Sequence, residues 1–182
     1  MPASSHDFAG WKEQSGLSLL VETGTYIGGG IRHALRGGFQ RVISIEASPR
    51  LFEDTKKMFL LDSRVTIVHG DSSIMMTEIL GGVNEPAVFW LDAHYSMGNT
   101  FNGPDPLVEE LRTISSWKHA PESWIIADDC VIDSSRIKNS SFMKKTHRVE
   151  EIQVTVPTDE GYGSNSGLPW KAVRFTPQEA RP

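Results

Sequence analysis

A single cysteine, Cys130, occurs among the 182 residues. The chain therefore cannot close an internal disulfide or build a cysteine-based zinc site, which fits a reducing compartment. Long apolar runs are also missing. No stretch approaches the ~20 residues of a membrane span, and the opening MPASSHDFAG lacks the basic-then-apolar layout of a secretory signal. A soluble, cytoplasmic protein with no membrane partner is expected. Basic charge is scarce too: 18 Lys and Arg against 23 Asp and Glu leave a net charge of −5. Nucleic-acid binders usually present a basic face, so no nucleic-acid partner is expected, and the local patch of Lys144, Lys145, His147 and Arg148 is small. There is no internal repeat and no long linker, and the length suits one domain with enough chain to bury a core.

What is present is an alternation of strand-like and helix-like runs. LSLLVETGT (17–25) reads as a buried strand giving way to glycines, followed by a helix over about 29–36. RVISIEAS (41–48) is a second strand ending on Glu46. Over 49–60 the proline sits at an allowed early position, and Leu51, Phe52, Thr55, Met58 and Phe59 recur at helical spacing. RVTIVHGDS (64–72) and PAVFWLDAH (86–94) are strands three and four, separated by a short helix reaching Leu80. A polar loop leads to PLVEELRTISSW (106–117), an amphipathic helix opened by Asp105 and Pro106, and SWIIADD (123–129) is strand five. After a weak helix or loop over 131–146, VEEIQVTVP (149–157) and PWKAVRF (169–175) read as two further strands. This order predicts an α/β fold with a doubly wound, mostly parallel sheet and an antiparallel edge. Both termini are expected to fray. Trp90, Trp117 and Trp124 fall in apolar runs and are expected in the core.

The turn VETGTYIGGG carries the first chemistry. Glu22 closes strand one, Gly24 follows, and Gly28 opens a helix at the carboxyl edge of the sheet, where a backbone free of Cβ atoms lets a ligand approach. Glu46, 22 residues after Gly24, closes strand two, where a carboxylate accepts from ribose hydroxyls. The pair indicates an adenosine-type cofactor. A dinucleotide site calls for G-x-G-x-x-G, but Tyr26 occupies the second glycine's place, and Glu22 would set negative charge near a pyrophosphate. A cationic sulfonium ligand with an amino group suits Glu22 better, which favours S-adenosylmethionine over NAD. The plainer alternative is a tight strand-to-helix turn with Glu46 as a solvated strand-end acid. At the end of strand three, Asp71 or Ser72 in HGDSS is placed to bond adenine, or to cap the helix that follows.

Carboxylates close strands four and five as well. With those strands adjacent, Asp92, Asp128 and Asp129 would lie ~5 to 10 Å apart, and their repulsion would call for a proton or a cation. Hard oxygen donors suit Mg²⁺, with Ca²⁺ and Mn²⁺ as lesser options. The alternative divides them into a helix cap, an acceptor of backbone amides and a solvated side chain. Asp129 is the less secure ligand, because neighbours on a strand point to opposite faces. His94, two residues past Asp92, has a side chain that can take a proton from a substrate hydroxyl near neutral pH, and Tyr95 is a second candidate for substrate contact. The loops 96–105 and 158–168 are expected to form the acceptor pocket, with Tyr162 and Trp170 offering ring faces. A plain hairpin tip is the alternative for the second loop. No run settles oligomeric state, and a homo-oligomer is compatible with the sequence.

Taken together, VETGTYIGGG, SIEAS, GDSS, FWLDAHYS and IIADDC resemble the class I S-adenosylmethionine-dependent methyltransferases over most of the chain. Within that superfamily the acidic positions are similar to those of metal-dependent O-methyltransferases. The catechol type carries an aspartate after strand four and Asp-Asn after strand five, matching Asp92 and Asp128 with Asp129. The sugar type of macrolide and aminocoumarin biosynthesis is more similar, ending strand five on Asp-Asp and strand four on D-x-D-x-Y. His94 stands where that motif has its basic aspartate, and Tyr95 takes the place of the catechol-type lysine. The resemblance implies a Rossmann-like seven-stranded sheet in the order 3-2-1-4-5-7-6; as a departure from it, with only about 16 residues before strand one, the N-terminal helices that help cover the cofactor in those families are expected to be shortened or missing here. It implies S-adenosylmethionine held by Glu22, Gly24, Tyr26, Gly28, Glu46, Ala47, Asp71, Ser72 and Asp92. It further implies Mg²⁺ on Asp92, Asp128 and Asp129, and His94 as base in an in-line methyl transfer to a hydroxyl of a small molecule or sugar. Two other readings stay open: a non-catalytic methyltransferase-like nucleotide-binding module, and a small NAD-linked oxidoreductase. Tyr26 and the lack of a recognisable catalytic dyad disfavour the last.

Overall fold

The computed structural model describes residues 7–93, 103–130, 134–154 and 170–178. Strands β1 (Leu19–Thr23), β2 (Arg41–Glu46), β3 (Val65–His69), β4 (Ala87–Leu91), β5 (Trp124–Ala127), β6 (His147–Val154) and β7 (Trp170–Pro177) form one sheet in the order β3-β2-β1-β4-β5-β7-β6. The first five are parallel, while β7 runs antiparallel to both β5 and β6. The expected doubly wound sheet with an antiparallel element at its edge is the sheet observed. The central strands β1 and β4 are buried along their whole length. That is what a parallel strand covered by helices on both faces requires, and it explains their unbroken apolar runs.

Among the described residues six α-helices cover the sheet: α1 (Phe8–Ser15), α2 (Gly29–Arg36), α3 (Pro49–Met58), α4 (Ser72–Gly82), α5 (Leu107–Ser116) and the short α6 (Ser135–Lys138). Their starts follow from local chemistry. Ser48 caps α3 ahead of Pro49, Asp71 caps α4 by accepting from Ser73 N–H at 2.9 Å, and Asp105 Oδ1 accepts from Leu107 N–H at 3.1 Å where α5 begins. Two apolar layers result. On one face Phe8, Trp11, Ile31 and Ala34 pack on Leu20, Val88 and Trp90. On the other, Met76, Leu80, Leu111 and Ile114 pack on Val21, Phe89 and Ile125.

The expected fray at the N-terminus is not what residues 7–16 do. Asp7 caps α1 by accepting from Gly10 N–H, and Phe8 and Trp11 close on Trp90, with the Trp11 and Trp90 rings stacked at 5.4 Å. Two large aromatic anchors outweigh the weak apolar pattern of the segment. The strands are also shorter than the apolar runs suggest, with β1 ending at Thr23 and β4 at Leu91. Trp90 and Trp117 are core residues as expected, whereas Trp124 is only half-buried, with the Arg174 guanidinium over its ring.

Candidate active site

The carboxyl ends of β2, β1, β4 and β5 lie side by side, and nearly every acid singled out in the sequence sits there. Glu22 pairs in register with Ser44 of β2, and its Oε2 accepts from the Ser44 hydroxyl at 2.5 Å. Ser44 also meets Thr25 at 2.6 Å, and because its one hydrogen goes to Glu22, the Thr25 hydroxyl donates to Ser44. The Glu22 carboxyl, 2% exposed, lies against the first turn of α2, where a Cβ on Gly30 would strike Oε1. A bound pyrophosphate would need that same helix end. Burial pushes Glu22 up to about 8 against the Ser44 hydrogen bond, and the neighbouring Glu46 charge adds to the rise. The acid is therefore largely neutral at pH 7 in the free protein.

Glu46 is not a solvated strand-end acid. It is 5% exposed, Oε2 accepts from Tyr26 N–H at 2.8 Å, and Oε1 accepts from Ser48 N–H at 2.8 Å. Each oxygen keeps a lone pair for a further donor. Burial raises its pKa, and the amides of Ser48 and Tyr26 draw it back. The Glu46 bond holds Tyr26 in a left-handed conformation, φ 49°, which is rare for an aromatic residue. Gly24, at φ 82°, passes so close to β4 that a Cβ would come within 2.5 Å of the Asp92 carbonyl oxygen. Gly28, also left-handed, begins α2 with no side-chain cap. Ala47 follows Glu46 on the same edge. Asp71 takes up the capping role at α4, accepting from both the amide and the hydroxyl of Ser73, and Ser72 is buried beside it.

One strand beyond, Asp92 N–H donates to Thr23 O at 3.1 Å, and Asp128 N–H donates to Leu91 O at 2.9 Å. Those bonds carry both chains past their strands and bring the Asp92 and Asp128 carboxyls into hydrogen-bond contact. Burial holds Asp92 well above the carboxylate range, reinforced by the charges of Asp128, Asp129 and Glu22, so the Asp92 and Asp128 carboxyls hold a proton between them. Asp129 is exposed and left-handed at φ 46°, and Arg136 Nη1 donates to its carbonyl oxygen at 3.1 Å. Arg136 also pairs with Asp105, Nε to Oδ2 at 2.6 Å, tying α6 to the entry of α5. Cys130 donates to the Asp128 carbonyl oxygen, and burial pushes its thiol up to about 11, so it is no nucleophile near neutral pH.

The donor chemistry of this cluster fits a divalent cation, because buried hard oxygens sharing a proton are a set in which a cation can replace the proton. Among the described residues, though, no three His, Cys, Asp or Glu side chains surround a common point that would hold a metal ion. His94, Tyr95, Tyr162, both acceptor loops apart from residues 103–105, and the side chain of Trp170 lie outside the described residues. Glu110 is the acid that the sequence reading misses. It occupies the buried face of α5 with Leu107, Leu111 and Ile114, and its helical spacing to those leucines was the available signal.

No family model and no curated protein matches this chain by sequence. By structure it is similar to the methyltransferase PaMTH1 of Podospora anserina in its S-adenosylhomocysteine-bound form, at 13% identity and a TM-score of 0.62, covering 94% of this chain and 76% of that one. An O-methyltransferase of Bacillus cereus in complex with S-adenosylhomocysteine is similar at 14% identity and 0.62, covering 94% and 79%. The fold is that of the class I methyltransferases. Spermidine synthase of Thermotoga maritima shares it at 15% identity and a TM-score of 0.54, over 96% of this chain and 61% of that one. A methyltransferase fold therefore serves more than methyl transfer, and the reaction has to be argued from the site. No described helix is long and apolar enough to cross a membrane.

Proposed function

We propose that the protein is an S-adenosylmethionine-dependent O-methyltransferase, assisted by a divalent cation such as Mg²⁺, that acts on a hydroxyl of a small molecule or sugar. The observation that carries this reading is the convergence, on one sheet edge, of the buried Glu22 and Glu46 around the glycine turn with the hydrogen-bonded Asp92 and Asp128 one strand along.

In this reading the free lone pairs of Glu46 receive the ribose hydroxyls, while Ala47, Asp71 and Ser72 border adenine. Glu22 faces the amino and sulfonium end and becomes charged as its proton leaves. The backbone of Tyr26, Gly24 and Gly28 shapes the turn around the ligand. Asp92, Asp128 and Asp129 would hold the cation, which when bound supplies a positive charge that favours the ionised acceptor oxygen. His94 takes the hydroxyl proton, and positioning of donor and acceptor in line contributes several of the ~7 to 11 kcal/mol that orientation can supply.

Calorimetry with S-adenosylmethionine, S-adenosylhomocysteine and NAD tests the cofactor. Saturable binding of the first two and none of NAD is expected, and no response to either adenosyl ligand at millimolar concentration sinks the reading. Glu46→Ala, which loses the ribose acceptor and frees the Tyr26 turn, should bind about tenfold or more weakly. Mg²⁺ titration of wild type against Asp128→Ala tests the cation, and equal affinity in the two proteins counts against it.

A further inference from the structure

β3 (Val65–His69) closes one side of the sheet, and among the described residues no strand lies beyond it. The phase of its pairing with β2 is fixed at both ends, where Val42 N–H donates to the Arg64 carbonyl at 2.9 Å and Gly70 N–H donates to the Glu46 carbonyl at 2.9 Å. The backbone groups of Thr66 and Val68 therefore face β2, and those of Val65, Ile67 and His69 face outwards. Asp62 O accepts the Val65 N–H at 3.0 Å in the turn that opens the strand. That leaves the N–H groups of Ile67 and His69, with the carbonyls of Val65, Ile67 and His69, for a further strand.

Natural sheets guard such an edge with charge, proline, a bulge or a covering segment. The opposite edge is guarded, since β6 (His147–Val154) carries Arg148, Glu150 and Glu151. The β3 edge is not. Val65 to Val68 are uncharged, and Arg64 before them is neutralised by Asp62, with Nε and Nη2 at 2.9 and 2.7 Å from the two carboxyl oxygens. Leu60 and Leu61, at the entry of the strand, are 71% and 96% exposed. Between β3 and α4 runs an open groove of about 290 Å³, lined in part by Ile43, Thr66, Val68, Met75 and Ile79. An unguarded edge and exposed apolar surface thus coincide, the combination expected of a surface that is covered by a partner.

We propose that this edge is a dimer interface, in which β3 of a second copy of this chain pairs antiparallel to it about a two-fold axis at Ile67. Ile67 exchanges both hydrogen bonds with its counterpart, and each His69 N–H donates to the Val65 carbonyl of the other copy. On the groove face Thr66 stands beside Val68 of the other copy, and the two grooves meet. Charge selects a second copy over an unrelated strand. α3 runs back along β3, from Phe52, stacked on His69 at 5.0 Å, to the Asp62 turn. It exposes Glu53 and Asp54 in its first half and Lys56 and Lys57 in its second, and Arg50 answers Asp54 at 4.0 Å. Lys56 lies over the Phe52 ring at 5.2 Å, on the strand side of the helix. The two-fold axis turns the acidic half of one α3 towards the basic half of the other, so Glu53 faces Lys56 across it. The two carboxyl edges point to opposite ends of the joined sheet, so the interface is independent of the cofactor reading.

Sedimentation equilibrium of the full chain from about 1 to 100 µM is expected to show a species of twice 20.2 kDa at the upper end. In hydrogen exchange on the same samples, the Ile67 and His69 amides should exchange at least about tenfold more slowly at the upper concentration than at the lower. Thr66→Lys, which sets a charge on the exposed face of the edge, should yield a monomer with the far-ultraviolet circular dichroism of wild type. Lys56→Glu should weaken association about tenfold, and Glu53→Lys added to it should restore association. A monomer at every concentration overturns the proposal and leaves the edge to a strand of another protein. A dimer whose Ile67 and His69 amides gain no protection has its interface elsewhere and overturns it too. So does a dimer that survives Thr66→Lys, and wild-type exchange decides where that variant fails to fold. Equal association of Lys56→Glu and wild type overturns the antiparallel register on which the proposal stands.

Discussion

Glu22 shows how one buried residue turns ligand charge into a measurable proton. In the free protein its carboxyl titrates at about 8 because burial outweighs the Ser44 hydrogen bond. A sulfonium or ammonium group bound beside it favours the ionised form, so binding should expel a proton. Calorimetry at pH 7 in buffers of differing ionisation enthalpy is expected to give S-adenosylmethionine uptake with release of up to one proton, falling towards none in Glu22→Gln. The same variant keeps the shape and the Ser44 contact, so its affinity should fall about tenfold or more through the lost charge. Unchanged proton release in Glu22→Gln would assign the proton to another acid. Gly30 belongs to the same argument: a methyl there meets the Glu22 oxygen directly. Gly30→Ala should therefore displace the carboxyl and weaken binding, although alanine is the better helix former.

At the scale of elements, α1 and α6 are the pieces whose roles differ most from their size. Trp11 is buried between Phe8 and Trp90, so Trp11→Ala should cost about 3 to 5 kcal/mol in denaturant unfolding. Arg136 on α6 makes the opposite case. Its pair with Asp105 is half in solvent and contributes little stability, yet its bond to the Asp129 carbonyl holds a left-handed aspartate. Arg136→Lys is expected to keep the melting temperature near wild type while weakening Mg²⁺ binding about tenfold, the size of effect typical of groups that orient metal ligands. Strands β1, β2, β4 and β5 are legible in the sequence because burial on both faces demands long apolar runs, whereas the half-exposed edge strand β3 is legible by its β-branched residues Val65, Thr66, Ile67 and Val68. Their true ends are less legible, since runs such as PAVFWLDAH continue into the acids of the carboxyl edge. The adjacency of Asp92 and Asp128 follows from winding order alone. The proton they share and the helix built by Asp7, Phe8 and Trp11 depend on packing that no local spacing reveals.

For the whole molecule, the acids of the site set the pH dependence of folding. Glu22, Glu46, Asp92 and Glu110 all have raised pKa values, with burial the largest cause in each. The folded state therefore holds protons that the unfolded chain releases near its ordinary carboxylate range, and the stability these groups contribute is complete below that range and lost as pH rises through the folded values. His147 opposes the trend: burial lowers its pKa, so its contribution is lost as pH falls through the ordinary imidazole range. Four carboxyls outweigh one imidazole. The melting temperature of the free protein should fall progressively from about pH 5 to about pH 8, as the Glu22 value is reached. Glu22→Gln, which cannot ionise, should flatten the upper part of that curve. Ligands that favour the ionised acids should do the same, so S-adenosylmethionine with Mg²⁺ is expected to raise the melting temperature more at about pH 8 than at about pH 5.5. A melting temperature that rises across this range without ligand would mean that the acids are already ionised in the free protein, and that the site is paired by charge rather than by shared protons.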